Sequence, residues 1–286
     1  MSIKHLSDDT KSIKHLSHYT NLGSAIKILN PEYKEEDKEQ DKIIGFKFTE
    51  IKNQNDLQEQ RLLEKHYEEY SNLRFASFCL MKEYFPRYKI YSTKEENSQS
   101  KEKSAKDDDY DSLPVRIYFE SKDKCDLRKL FSNFSNFSNF SKPKPKEVRY
   151  CKQSEFKKYC NGTKAIRPED IGFIKSNYWK YEKEYRFVLK DKTNESDKSL
   201  EPVVPIDLEC LKKIEIFYFP TGKFQESFKD GKNARKQSNK IRKLFLVSEE
   251  GKKTIFASTL EDKKVEFHVH KSTLCKVIKK QTKLED

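Results

Sequence analysis

Apolar and polar positions alternate with period two over several short stretches, and these predict strands. The clearest are 43–51 and 114–120; the apolar run 74–81 reads as a buried strand, 147–153 and 265–269 as short strands, and 201–220 as strand–turn–strand. Helical spacing is rarer. Ile13, Leu16 and Tyr19 lead to Thr20 or Asn21 as a helix N-cap, and a short helix runs through Ala25, Ile26 and Leu29 until Asn30-Pro31 closes it. His18, Tyr19 and Thr20 then sit at a strand-to-helix junction, a place where side chains are often presented to a ligand. Leu57, Leu62, Leu63, Tyr67 and Tyr70 form a partial apolar stripe after a turn, 154–160 reads as a helical turn, and 231–251 reads as a basic helix with Ile241, Leu244 and Phe245 on its apolar side.

The stretch 173–190 departs from simple alternation of apolar and polar residues. It holds the only tryptophan, Trp179, and three charged residues at alternate positions: Glu182, Glu184 and Arg186. As a strand it places these three on one face and Tyr181, Tyr185 and Phe187 on the other. The charged side is then a wet sheet face, stabilised by cross-strand pairs of ~0.2–1 kcal/mol each, or the floor of a polar site. Like charges two residues apart on one face repel, which favours an arrangement with a purpose.

The pattern between these elements sets the domain organisation. Residues 2–7 and 12–17 both read Ser-Ile-Lys-His-Leu-Ser, so 1–12 is read as a duplicated or disordered leader. Residues 91–112 carry almost no apolar anchors and read as a disordered insertion. Residues 131–146 begin with a Phe-Ser-Asn triplet repeat and read as a surface loop. The expectation is a single α+β domain over 13–275, followed by a basic tail at 276–286. Its sheet is mixed and mainly antiparallel, with a few peripheral helices and long charged insertions.

Composition adjusts this picture. Of the 286 residues 34% are hydrophobic and 37% charged, and 20 Phe with 15 Tyr predict a core built from rings. The net charge of +12 favours polyanionic partners, nucleic acid or an acidic protein. Lysine is spread along most of the chain, however, and the run Lys232, Arg235, Lys236, Lys240, Arg242 and Lys243 rings its helix rather than striping it. Six cysteines without a paired spacing predict buried free thiols in a reducing compartment, and they assemble no zinc-finger site. No stretch is long and apolar enough for a membrane span, and a cytoplasmic location is the expectation.

Four islands carry candidate chemistry: Tyr19-Thr20; Asn55-Asp56-Leu57-Gln58-Glu59; Ser77-Phe78-Cys79; and Lys175-Ser176 followed by Trp179, Glu182, Glu184 and Arg186. In this order they resemble a widespread prokaryotic family of domains of unknown function, over roughly residues 16 to 245. Cys79 departs from the family's serine, and Lys82 from its tryptophan. More distantly the layout resembles ADP-ribosyltransferases, which implies an NAD-consuming site. On that resemblance His18 and Thr20 hold the nicotinamide ribose, Ser77 braces it, and Trp179 or Tyr19 stacks on nicotinamide. Glu184 is the catalytic carboxylate with Glu182 assisting, Arg186 lies beside them, and Asn55, Asp56 and Glu59 support the site. NAD would be the substrate, with no metal required. Two other classes stay open: a non-catalytic nucleic-acid-binding or defence-associated module, and a metal-dependent nuclease using Asp56, Glu59, Glu182 and Glu184.

Overall fold

The computed structural model describes residues 13–29, 44–50, 72–80, 113–121, 126–131, 139–167, 172–192, 202–218 and 265–271, with single positions at 62, 170, 239, 243, 245, 246 and 257. Strand β1 (His15–Asn21) runs directly into helix α1 (Leu22–Leu29). Asn21 Oδ1 accepts from Ser24 N at 2.8 Å, which caps the helix as the sequence predicts. Leu22, Ala25, Ile26 and Leu29 are all buried, so α1 lays one apolar stripe on the sheet.

The other strands are β2 (Gly45–Lys47), β3 (Thr49–Glu50), β4 (Leu73–Cys79), β5 (Pro114–Glu120), β6 (Lys144–Glu147), β7 (Arg149–Cys151), β8 (Ile174–Ser176), β9 (Glu184–Lys190), β10 (Val203–Pro205), β11 (Leu211–Tyr218) and β12 (Glu266–Lys271). A second helix, α2, spans Gln153–Cys160. The main sheet has eight strands in the order β12-β11-β5-β1-β4-β9-β6, with β3 also paired to β4. Only β11 and β12 pair in parallel within it, so the fold is α+β with a mixed, mainly antiparallel sheet. Two further pairs, β2–β10 and β7–β8, stand outside it.

One face of the sheet packs the main core. Phe78, Ile117, Phe119, Tyr185, Phe187 and Ile214 meet α1, Phe46 and Phe131 there, with ring centroids 4.8 Å apart for Phe131–Phe187 and 5.1 Å for Phe46–Phe78. Phe131 and Phe140 bracket the triplet repeat and are both buried; 132–138 lies outside the described residues. The surface loop expected over 131–146 from its triplet repeat is corrected at its end, where Lys144–Glu147 forms β6 despite Pro143 and Pro145. A proline fits an edge strand, where an N–H bond is not needed, and β6 is the edge beside β9. Gly45 is required by close approach: a Cβ there would lie 2.3 Å from Val204 O across the β2–β10 pair.

Three cysteines, Cys79, Cys151 and Cys160, are free thiols, and burial pushes the Cys151 thiol up to about 11. Cys210 is disulfide-bonded, which corrects the expectation of free thiols throughout. No helix among the described residues is long and apolar enough to cross a membrane.

Candidate functional site

The segment that joins β8 to β9 builds the site. Ser176 ends β8, and its Oγ accepts from Tyr178 N at 3.4 Å while its hydroxyl meets Gln153 Oε1 of α2. That cap opens a 3-10 turn over Asn177–Glu182. Lys183 then adopts a left-handed conformation, φ 41 and ψ 54, before the chain enters β9 at Glu184. The expected strand through Glu182 is therefore corrected: Glu182 ends a helical turn, and only Glu184 and Arg186 share a strand face. Tyr181 likewise leaves the aromatic face predicted for it, whereas Tyr185 and Phe187 keep it.

The carboxylates of Glu182 and Glu184 nevertheless meet, because Lys175 stands between them. Its Nζ lies 3.1 Å from Glu182 Oε2 and 2.7 Å from Glu184 Oε2. Arg186 holds Glu184 with two donors, Nε to Oε1 at 2.7 Å and Nη2 to Oε2 at 3.2 Å, and gives Nη1 to Gly172 O at 2.5 Å. Among the described residues, two cations and two anions thus form a network of balanced charge, buried throughout. Burial of charge is tolerated only with such pairing, since each unpaired ion costs several kcal/mol, on the order of 3–5 when one partner is removed. Backbone contacts lock the same place: Glu184 N donates to Tyr150 Oη at 2.8 Å, and the Cys79 thiol donates to Glu182 O at 2.8 Å. Burial raises the Tyr150 hydroxyl well above its ordinary value. Trp179 is half-buried with Lys175 Nζ 5.8 Å from its ring centre, a cation–π geometry.

The strand order brings three of the four islands together, with β1, β4 and β9 as consecutive neighbours. Ser77 pairs with Arg186 and Cys79 with Glu184; Ser17 pairs with Cys79, and continuing that register sets Tyr19 opposite Ser77. Tyr19, Ser77, Glu184 and Arg186 therefore share the face opposite the main core. The row extends through Arg116, cross-strand partner of Tyr19, to Glu215, with which it forms a buried ion pair. At the other end, Lys146 of β6 pairs in register with Arg186, and its Nζ bonds Asp170 at 2.7 Å. Burial pushes the Asp170 carboxyl up, but hydrogen bonds from Lys146 and Arg167 outweigh it and hold the group below its ordinary value. Ser77 Oγ is buried and has no hydrogen-bond partner among the described residues.

His18 and Thr20 fall on the other face, which corrects their expected convergence with Glu184. His18 pairs with Ile117, and its ring packs 4.7 Å from Phe46 and 5.5 Å from Phe78. Its Nδ1 lies 2.9 Å from Ser77 O, and a carbonyl can only accept, so Nδ1 carries the proton. The reason is the period of two: with Tyr19 on the polar face, its neighbours must point to the core. Asn55, Asp56 and Glu59 lie outside the described residues, as does the basic run apart from Lys243, which is exposed. For the nuclease reading, Glu182 and Glu184 hold side-chain cations, and among the described residues no group of three His, Cys, Asp or Glu converges to hold a metal ion. Lys175, Tyr150 and Gly172 were not singled out by sequence; Lys175 alone left a trace, as the first residue of the Lys-Ser island.

No protein-family model, no curated protein and no solved structure matches this chain. The resemblance to a domain family rests on the motif residues themselves.

Proposed function

We propose that the chain is an NAD-consuming, ADP-ribosyltransferase-like domain whose ligand lies over the β1–β4–β9 face. The observation that carries this reading is the orphaned hydroxyl of Ser77, buried in the row between Arg186 and the position of Tyr19. Buried polar atoms in folded proteins nearly always have partners, and one without a protein partner suits a ligand hydroxyl. Glu184 is the carboxylate that meets the ribose, with Tyr19 on its face in place of His18. Lys175 bridges both glutamates, so a ribose hydroxyl can replace it at Glu184 while Glu182 retains it. In the reaction the bond from ribose C1′ to the nicotinamide nitrogen breaks and its electron pair leaves with nicotinamide. The acceptor forms the new bond to C1′ and its proton passes to a carboxylate, for which Glu182 is placed.

The test is transfer of labelled ADP-ribose from NAD to protein and nucleic-acid acceptors. Ser77→Ala is the cleanest variant, because the hydroxyl has no hydrogen-bond partner to lose among the described residues: stability should hold while NAD turnover falls. Glu184→Gln should abolish turnover. Wild-type protein that releases no nicotinamide with any acceptor ends the reading. In that case the network is a structural cross-link, and the nucleic-acid-binding module and the nuclease are the readings to test next.

A further inference from the structure

The turn that precedes Glu184 has a surface unlike any other described part of the molecule. Tyr178 is 66% exposed and Tyr181 44%, and these are the exposed large hydrophobic side chains among the described residues. Both lie in one six-residue turn. Trp179 sits between them in sequence, with its ring centre 6.0 Å from that of Tyr181 and the planes tilted by 55°. Asn177, Lys180 and Lys183 of the same segment are exposed. The parallel register that pairs Cys151 with Ser176 brings the exposed Lys152 next to the start of the turn, and Lys157 and Lys158 on α2 are exposed as well. Among the described residues nearby acidic groups are fewer: Glu182 is buried on Lys175, and Glu155 is held by Lys164 at 2.5 Å.

The turn is also held at both ends. Ser176 caps its start, and Lys175 and the Cys79 thiol pin its last residue, Glu182. Lys183 reverses the chain with a left-handed backbone. Rings left in water on an immobilised support lose little conformational freedom when a ligand stacks on them. Rings interleaved with lysines match one ligand chemistry well: unpaired bases joined by phosphates. Bases stack on aromatic faces whatever their identity, and the lysines track the backbone. A duplex hides its base faces and offers only the phosphates.

We propose that Tyr178, Trp179 and Tyr181, with Lys152, Lys180 and Lys183, form a stacking platform for single-stranded nucleic acid. The platform lies outside the Glu184 row and does not require NAD turnover, so each proposal can fail alone.

Trp179 is the only tryptophan, which makes its emission a direct reporter of the surface. The full chain is titrated, without NAD, with a short oligothymidylate and with a duplex of the same length. Anisotropy of the labelled strand and quenching of Trp179 are read together. The expected result is saturable quenching by the single strand and weaker binding of the duplex. Tyr178→Ala with Tyr181→Ala should lose about tenfold or more in affinity. Lys152→Glu with Lys180→Glu should flatten the fall in affinity between roughly 50 and 200 mM salt. Should the double tyrosine variant melt early, Tyr178→Ser alone, at the more exposed ring, carries the test. The proposal is overturned if the oligothymidylate leaves Trp179 emission unchanged, if duplex binds as tightly as single strand, or if the tyrosine variants bind like wild type.

Discussion

Residues 177–183 and 184–186 are adjacent in sequence and opposite in environment. The first group puts tyrosine rings and lysines into water; the second puts a glutamate and an arginine at 1% and 0% exposure into an ion network of balanced charge. Both are rich in charge and aromatic rings, so composition does not separate them. Backbone geometry does. A 3-10 turn and a left-handed residue, Lys183, divide a stretch that alternation alone reads as one strand. The difference teaches that the charged motif has a rigid buried half and a presented half, and that Lys175 and Glu182 join the two.

The largest expected effect breaks the buried half. Arg186→Met should cost about 3–5 kcal/mol in urea unfolding, since it leaves Glu184 short of a partner. Glu184→Gln combined with Arg186→Met should cost less than the two single changes added together, as paired charges removed together leave less unpaired. Equal and additive costs would mean that the two side chains do not hold each other. Next comes the divider. Lys183→Val should destabilise by about 1–2 kcal/mol, because a β-branched side chain suits the left-handed region badly, whereas Lys183→Gly should be neutral or better. A smaller effect is expected on the presented half, where Tyr178→Ser should change stability by no more than about 0.5 kcal/mol. The smallest concerns pH. Asp170 has its folded value held below the ordinary 3.8, so its contribution is complete above 3.8 and lost as pH falls through the folded value. Asp170→Asn should lower the melting temperature slightly at neutral pH and flatten the acid-side fall, so that the wild-type and variant curves converge at low pH.

Much of the fold can be read from alternation. Residues 114–120 are predicted as a strand and β5 is Pro114–Glu120; the Asn21 cap and the stripe of α1 are legible for the same reason, that local periodicity and capping chemistry decide them. β6 is not legible, since whether a proline is tolerated depends on lying at a sheet edge, which is a long-range fact. In the site, Glu184 and Arg186 stand on one face as their spacing implies. His18 fails because the period of two forces a choice between it and Tyr19, and only the packing of Phe46 and Phe78 makes that choice. Lys175 becomes central only when β8 lies near the start of β9, and nothing local in the sequence announces that.

The proposed NAD turnover at the Glu184 row is tested most directly by proton NMR of nicotinamide release. Wild type, Ser77→Ala and Glu184→Gln are followed in parallel, each with its unfolding curve. The account predicts release by wild type, slower release by Ser77→Ala at unchanged stability, and none by Glu184→Gln. Folded wild-type protein that releases no nicotinamide, or a Glu184→Gln variant that releases it at the wild-type rate, contradicts it.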